Sequence, residues 1–131
     1  MGTILLGAVL LAGCEKAAYR DGIYTGRSGE DDTGAWGEVT LSIGGGKING
    51  CEFVTRQKDG TVKDENYGKT HGEISNRDFY NKAQLAVEAM KQYAAAYLKA
   101  GNLNDVEAVS GATIAYNQFR EAVEQALEGA K

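Results

Sequence analysis

The chain has 131 residues, 43% of them hydrophobic and 24% charged, and a formal net charge of −4. That acidic balance argues against a nucleic-acid partner, which basic patches bind, and against electrostatic adhesion to anionic lipid. A single histidine excludes a histidine-rich metal centre, leaves a histidine-based catalytic triad unsupported, and gives no reason to expect a metal.

Residues 1–13 are almost entirely apolar or small, with Ile4-Leu5-Leu6 and Val9-Leu10-Leu11 at their centre. The stretch is shorter than the about 20 apolar residues of a spanning helix and reads as the apolar region of an export signal. Leu11-Ala12-Gly13-Cys14 then resembles the lipobox of bacterial lipoproteins, cleaved before a cysteine that becomes lipid-modified. Cleavage there removes 13 of 131 residues and leaves 118, enough for one domain with an adequate core. The expected organisation is a signal peptide over 1–13, a lipidated tether over 14–20 and one domain over 21–131. Several acyl chains on Cys14 anchor a protein stably to a membrane, whereas a single chain is marginal. With Cys14 modified, Cys51 has no intrachain partner. Between Gly50 and Glu52-Phe53-Val54 it reads as a small buried strand residue, with a reactive thiol as the alternative.

The first half of the domain has β character. Gly22-Ile23-Tyr24-Thr25-Gly26 places β-formers between glycines, and Arg27 to Gly34 is a polar, acidic loop. Glu38 to Ile43 alternates polar and apolar, the mark of a strand with one buried face. Gly44-Gly45-Gly46-Lys47 is a turn, Ile48 to Gln57 the returning strand of a hairpin, and Asp59-Gly60 a further turn.

The second half is helical. Ser75 or Asn76 can cap a helix with an apolar stripe at Phe79, Ala83, Ala86, Val87, Met90, Ala94, Tyr97 and Leu98, stopped by Gly101. A short extended run from Asp105 to Val109 precedes Ser110-Gly111-Ala112-Thr113. The last helix then runs from Ala115 to Leu127, with its stripe at Ala115, Tyr116, Phe119, Ala122, Val123, Ala126 and Leu127, and Gly129 ends it. Strands followed by two amphipathic helices predict an α+β domain, a small antiparallel sheet covered on one face by the helices.

Ser110-Gly111-Ala112-Thr113 carries the chemistry. A threonine at the mouth of a helix faces free backbone N–H groups and the positive end of the macrodipole, a natural phosphate site. Gly111 permits a left-handed turn, Ala112 is too small to block approach, and Ser110 can donate to a phosphate oxygen. The same spacing also suits a plain helix cap by Ser110 or Thr113.

This S-G-A-T stretch resembles the flavinylation motif of the FMN-binding domain family, in which a transferase esterifies the FMN phosphate to the threonine. The resemblance runs from Asp21 to Leu127. It includes Asp21 to Gly26, Gly37 to Ile43 with Gly46-Lys47-Ile48, Asp59-Gly60 with Asp64 to Gly68, and Val106 to Thr113. It points to the small lipoprotein branch, because the E-T-P-G stretch of the redox-pump members is missing. Ala115 and Tyr116 depart from a pattern that often has hydroxyl residues there. The resemblance implies FMN held as a phosphoester on Thr113, added by a separate Mg²⁺-dependent flavin transferase that uses FAD. It further implies a membrane redox complex or another electron-transfer protein as partner. The flavin ring needs an aromatic platform, for which Trp36 is the leading candidate and Tyr24, Tyr67 and Tyr116 are others.

Other signals are weaker. Glu30-Asp31-Asp32 reads as a solvated loop, residues 59–66 lack EF-hand spacing, and His71 reads as an exposed loop residue. The resulting expectation is a lipid-anchored, extracytoplasmic electron carrier without acid–base catalytic residues. The alternatives are a lipid-anchored binding or surface-antigen module without flavin, and a flavin-dependent reductase with its own small substrate.

Overall fold

The computed structural model describes residues 19–131. The expected signal peptide, the Cys14 lipidation site and the tether up to residue 18 lie outside the described residues. Strands β1 (Gly22–Arg27), β2 (Trp36–Gly44) and β3 (Lys47–Arg56) form one antiparallel sheet in the order β1-β2-β3. Helices α1 (Arg77–Ala100) and α2 (Thr113–Ala130) complete an α+β domain.

Strand β2 follows the alternation in its sequence. Gly37, Val39, Leu41 and Ile43 are buried, and the residues between them are partly exposed. The β2–β3 hairpin closes on Gly45-Gly46, both with positive φ (63° and 76°) as a type I′ turn requires. The register slips between Ser42 and Ile43, so the bulge falls beside the hairpin turn.

Asn76 caps α1, its Oδ1 accepting from the Phe79 N–H at 3.0 Å, and Gly101 ends the helix in the left-handed region. The buried face of α1 differs from the predicted stripe at its ends. Phe79 and Leu98 are exposed, while Ala89 and Tyr93 join the core with Ala83, Met90 and Tyr97. Helix α2 begins at Thr113 and continues through Gly129 to Ala130, beyond the predicted stop. Ala126 and Ala130 are both buried there, and their packing overrides the about 1 kcal/mol that glycine costs a helix.

The two helices meet the sheet around Phe119, which has no exposed surface. Its ring lies 4.9 Å from Phe53, 5.9 Å from Tyr97 and 6.0 Å from Tyr93, distances at which aromatic pairs add to area burial. Closest approach occurs at Gly26, where a Cβ would lie 1.9 Å from the Ala122 carbonyl oxygen and 2.5 Å from the Ala126 nitrogen. Only glycine lets β1 sit this near α2. Among the described residues, no helix is long and apolar enough to cross a membrane.

Candidate functional site

After Gly101 the chain makes a short 3₁₀ turn at Leu103–Asp105 and then runs extended, unpaired with the sheet, through residues 106–109. The Ala112 N–H donates to the Val109 carbonyl at 2.9 Å and closes a turn. Gly111 has φ 87° at its third position, where a type II turn needs a left-handed residue.

Two tyrosines brace this segment from beneath. The buried Tyr93 hydroxyl donates to the Ala112 carbonyl at 3.0 Å and accepts from the Val109 N–H at 2.9 Å. The Tyr116 hydroxyl donates to the Val106 carbonyl at 2.8 Å, and its ring leans on Tyr93 at 5.5 Å. Ala115 and Tyr116, the two departures from the family pattern, therefore face inward, and Tyr116 holds the segment that leads into the turn.

Helix α2 starts directly after this turn. Ala112 occupies the N-cap position and, among the described residues, no side chain caps the helix, so Ser110 and Thr113 do not cap it. The first helical N–H taken up is that of Tyr116, which donates to Ala112 at 3.0 Å. Among the described residues, the N–H groups of Thr113, Ile114 and Ala115 and the Thr113 hydroxyl have no protein acceptor. Thr113 and Ile114 are exposed. This end combines unsatisfied donors with the positive pole of the helix dipole.

The helix start opens into a cleft of about 420 Å³ lined by Gly111, Ala112, Thr113, Ile114 and Ala115 on one side. Asp31 and Thr33 of the β1–β2 loop, Thr55 of β3, Lys63, Tyr67 and Gln118 form much of the rest. A second cleft of about 630 Å³ shares Thr33, Lys63 and Tyr67 and extends to Gln57, Lys58 and Asp59. Both volumes lie in the range of cofactor-sized sites.

The charges in the cleft are organised. Asp31 Oδ1 accepts from the Thr33 N–H at 2.8 Å, the Thr33 hydroxyl at 2.6 Å and the Ala35 N–H at 3.0 Å. Burial pushes the Asp31 carboxyl up. The Thr33 hydroxyl, the Ala35 and Thr33 amides and nearby Lys63 together outweigh it and hold the group below its ordinary range. Its charge is thus spent on shaping the loop. The Lys63 ammonium lies 4.7 Å over the Tyr67 ring, and among the described residues no carboxylate comes within salt-bridge distance of it.

Of the expected site residues, Gly111, Ala112 and Thr113 line the cleft together, and Ser110 sits exposed at the tip of the turn. Trp36 is not brought to it. Gly37 faces Gln118 of α2, so strand alternation turns Trp36 to the other face of the sheet. There Arg27 covers its ring at 4.0 Å, and its buried Nε1–H has no partner among the described residues. Tyr24 bonds the Asp21 carbonyl and Tyr116 braces Val106, so Tyr67 is the tyrosine in the cleft.

Sequence reasoning missed Thr33, Lys63 and Gln118 and read Asp31 as mere solvated loop. Gln118 carried a usable signal, a polar residue inside the apolar stripe of α2. Its Nε2 donates to the Ala35 carbonyl at 3.2 Å from a buried position. Cys51 is half-buried on β3, and burial, followed by the charge of Glu52, pushes its thiol up to about 12, which removes the reactive alternative.

Comparison with known proteins agrees with this picture. The FMN-binding domain family matches residues 34–128. A 15 kDa lipoprotein of Treponema pallidum (strain Nichols) is 26% identical over 126 residues, covering 95% of this chain and 85% of its own length. The crystal structure of the CPE2226 protein from Clostridium perfringens superposes with a TM-score of 0.66 at 22% identity, covering 86% of this chain and 88% of that one. The structural likeness shows a shared fold.

Proposed function

The chain belongs to the FMN-binding domain family, and from that premise we propose that it is a lipid-anchored, extracytoplasmic flavoprotein that carries FMN covalently on Thr113. The observation that carries this reading is the exposed Thr113 hydroxyl at the uncapped start of α2, opening on a cleft. The residues present fit the group. The free N–H groups of Thr113, Ile114 and Ala115 suit a phosphate, and a Cβ at Gly111 would meet only a Leu85 methyl at 3.0 Å, so nothing rigid blocks approach.

In the attachment step Thr113 Oγ1 forms a bond to the FMN phosphorus of FAD. The pyrophosphate P–O bond breaks, AMP leaves, and the hydroxyl proton passes to a base of the flavin transferase. The resulting phosphodiester keeps one negative charge, which the helix start and its N–H groups stabilise. Tyr93 and Tyr116 hold the turn, and Asp31 holds the facing loop, so the site is formed in advance. When bound, the flavin supplies the redox chemistry, and the protein positions the ring and tunes it.

That the Treponema relative is a lipoprotein supports reading Leu11 to Cys14 as a lipoprotein signal and Cys14 as the anchor. Outside the cytoplasm a dissociable cofactor is lost by dilution, and a covalent bond removes that loss. The protein then passes electrons between a membrane redox complex and an extracytoplasmic acceptor. Coexpression with a flavin transferase tests this. A fluorescent band on a denaturing gel, lost in Thr113→Val, is expected together with the mass of riboflavin phosphate on the intact chain. A non-fluorescent wild type, or a variant that stays fluorescent, would falsify the reading.

A further inference from the structure

Lys63 and Tyr67 belong to no helix or strand, yet both are fixed. The Lys63 N–H donates to the Thr55 carbonyl of β3 at 2.9 Å. Helix α1 holds the turn carrying Tyr67 by three bonds. Gln84 Nε2 donates to the carbonyls of Asp64 and Tyr67, each at 2.9 Å, and the Tyr80 hydroxyl donates to Glu65 at 2.8 Å. Gly68, with φ 97°, lets this loop close on α1, since a Cβ there would lie 2.8 Å from that of Ala83. The fold thus holds a lysine and an aromatic ring where the two clefts meet.

We infer that this junction seats the isoalloxazine ring and that the Lys63 ammonium lies at the ring's pyrimidine edge and raises its reduction potential. The inference rests on the flavin reading above. With the phosphate on Thr113, the ribityl chain leads along the first cleft, and the second is continuous with it through Thr33, Lys63 and Tyr67. Tyr67 offers the aromatic wall that Trp36, on the far face of the sheet, does not. Lys63 is the cation common to both clefts and is free of any carboxylate within salt-bridge distance among the described residues.

The charges facing the junction are Asp31, Lys58 and Asp59 besides Lys63. Asp31 is engaged by Thr33 and Ala35, and Asp59 Oδ1 accepts from the Thr61 N–H at 2.9 Å. The Lys58 methylenes pack on Gly34. Neither Lys58 nor Lys63 has a carboxylate within salt-bridge distance among the described residues, and of the two only Lys63 lines both clefts. Two electrons from a reduced redox partner and one proton from solvent, taken up at N5, leave the ring with one negative charge spread over N1 and the C2 carbonyl. A cation fixed at that edge favours the reduced form.

The test uses the full chain flavinylated by a transferase, with the midpoint potential titrated against dithionite in the presence of reference dyes. Lys63→Gln is expected to weaken the preference for the reduced ring about tenfold, about 30 mV lower for a two-electron couple. Lys63→Arg should stay near wild type, and Lys47→Gln, the same charge change at the distant hairpin, should not shift the potential. Tyr67→Leu should brighten flavin fluorescence by removing a quenching aromatic contact. A Lys63→Gln potential equal to that of wild type overturns the inference. So does a Lys63→Gln protein that no longer accepts flavin while wild type does, since that places Lys63 at the phosphate. Failure of the wild type to accept flavin instead overturns the underlying flavin reading.

Discussion

Helices α1 and α2 begin in opposite ways. Asn76 closes the start of α1 with a side-chain bond to Phe79, and a left-handed Gly101 closes its end. Helix α2 is closed only behind. The Arg20 N–H donates to the Ala130 carbonyl at 2.7 Å, and the Arg20 guanidinium donates to Gly129 at 3.1 Å. Its front end has Ala112 at the cap and leaves three N–H groups free. A capped start satisfies one more of its own donors, here the Phe79 N–H, and places a side-chain oxygen where a ligand's would sit. An uncapped one keeps them available, provided that tertiary contacts hold the helix in place of the missing cap. In α2 those contacts are the backbone approach to β1 at Gly26 and the two tyrosines under the turn.

The contrast can be broken most severely from behind. Gly26→Ala drives a methyl into the α2 backbone and should cost at least about 3 kcal/mol, enough to threaten folding, as urea unfolding will show. Tyr93→Phe strands the Val109 N–H and the Ala112 carbonyl and should cost about 1–3 kcal/mol. It should also slow flavin attachment at temperatures where the domain is still folded. Attachment at the wild-type rate would show that the turn does not need this brace.

The two helix starts can then be compared directly. Asn76→Ala removes a working cap and should cost about 1 kcal/mol. Thr113→Val removes a hydroxyl that bonds nothing among the described residues, so stability should change by no more than about 0.5 kcal/mol while covalent flavin is lost completely. A Thr113→Val cost matching that of Asn76→Ala would mean that Thr113 is a cap after all.

The last effect is absent at neutral pH and concerns Cys51, on strand β3. Its thiol rises from an ordinary value of 9.0 to about 12, chiefly through burial and then through the charge of Glu52. Below pH 9 the folded and unfolded chains both keep the proton, and the contribution of this site is fully present. As pH climbs from 9 towards 12 the unfolded chain loses the proton and the folded one resists, so stability falls. Urea midpoints at pH 8 and pH 10.5 should diverge less in Cys51→Ala than in wild type.

The sequence by itself determined most of the elements and picked out the turn that precedes the last helix. Alternation over Glu38 to Ile43, the paired glycines of the hairpin, Asn76, Gly101 and the apolar stripes are local signals. They act over a few residues and survive any arrangement of the chain. Ser110 to Thr113 was visible for the same reason, as a glycine turn before an amphipathic run. Local rules failed where long-range packing outweighed them. Gly129 stayed helical because Ala126 and Ala130 are buried, and Tyr93 and Ala89 entered the core where Phe79 and Leu98 did not.

Only the tertiary structure decided which residues share the cleft with Thr113. Trp36 was excluded by strand parity: the alternation that turns Val39, Leu41 and Ile43 inward turns Trp36 outward, because β2 begins at Trp36 and not at Glu38. Lys63 and Tyr67, about fifty residues from Thr113, reached it because Gln84 and Tyr80 of α1 fasten their loop. Periodicity encodes which way a residue faces within its own element. The meeting of three loops at one helix start is fixed by how the elements pack, and that information is spread over the whole chain.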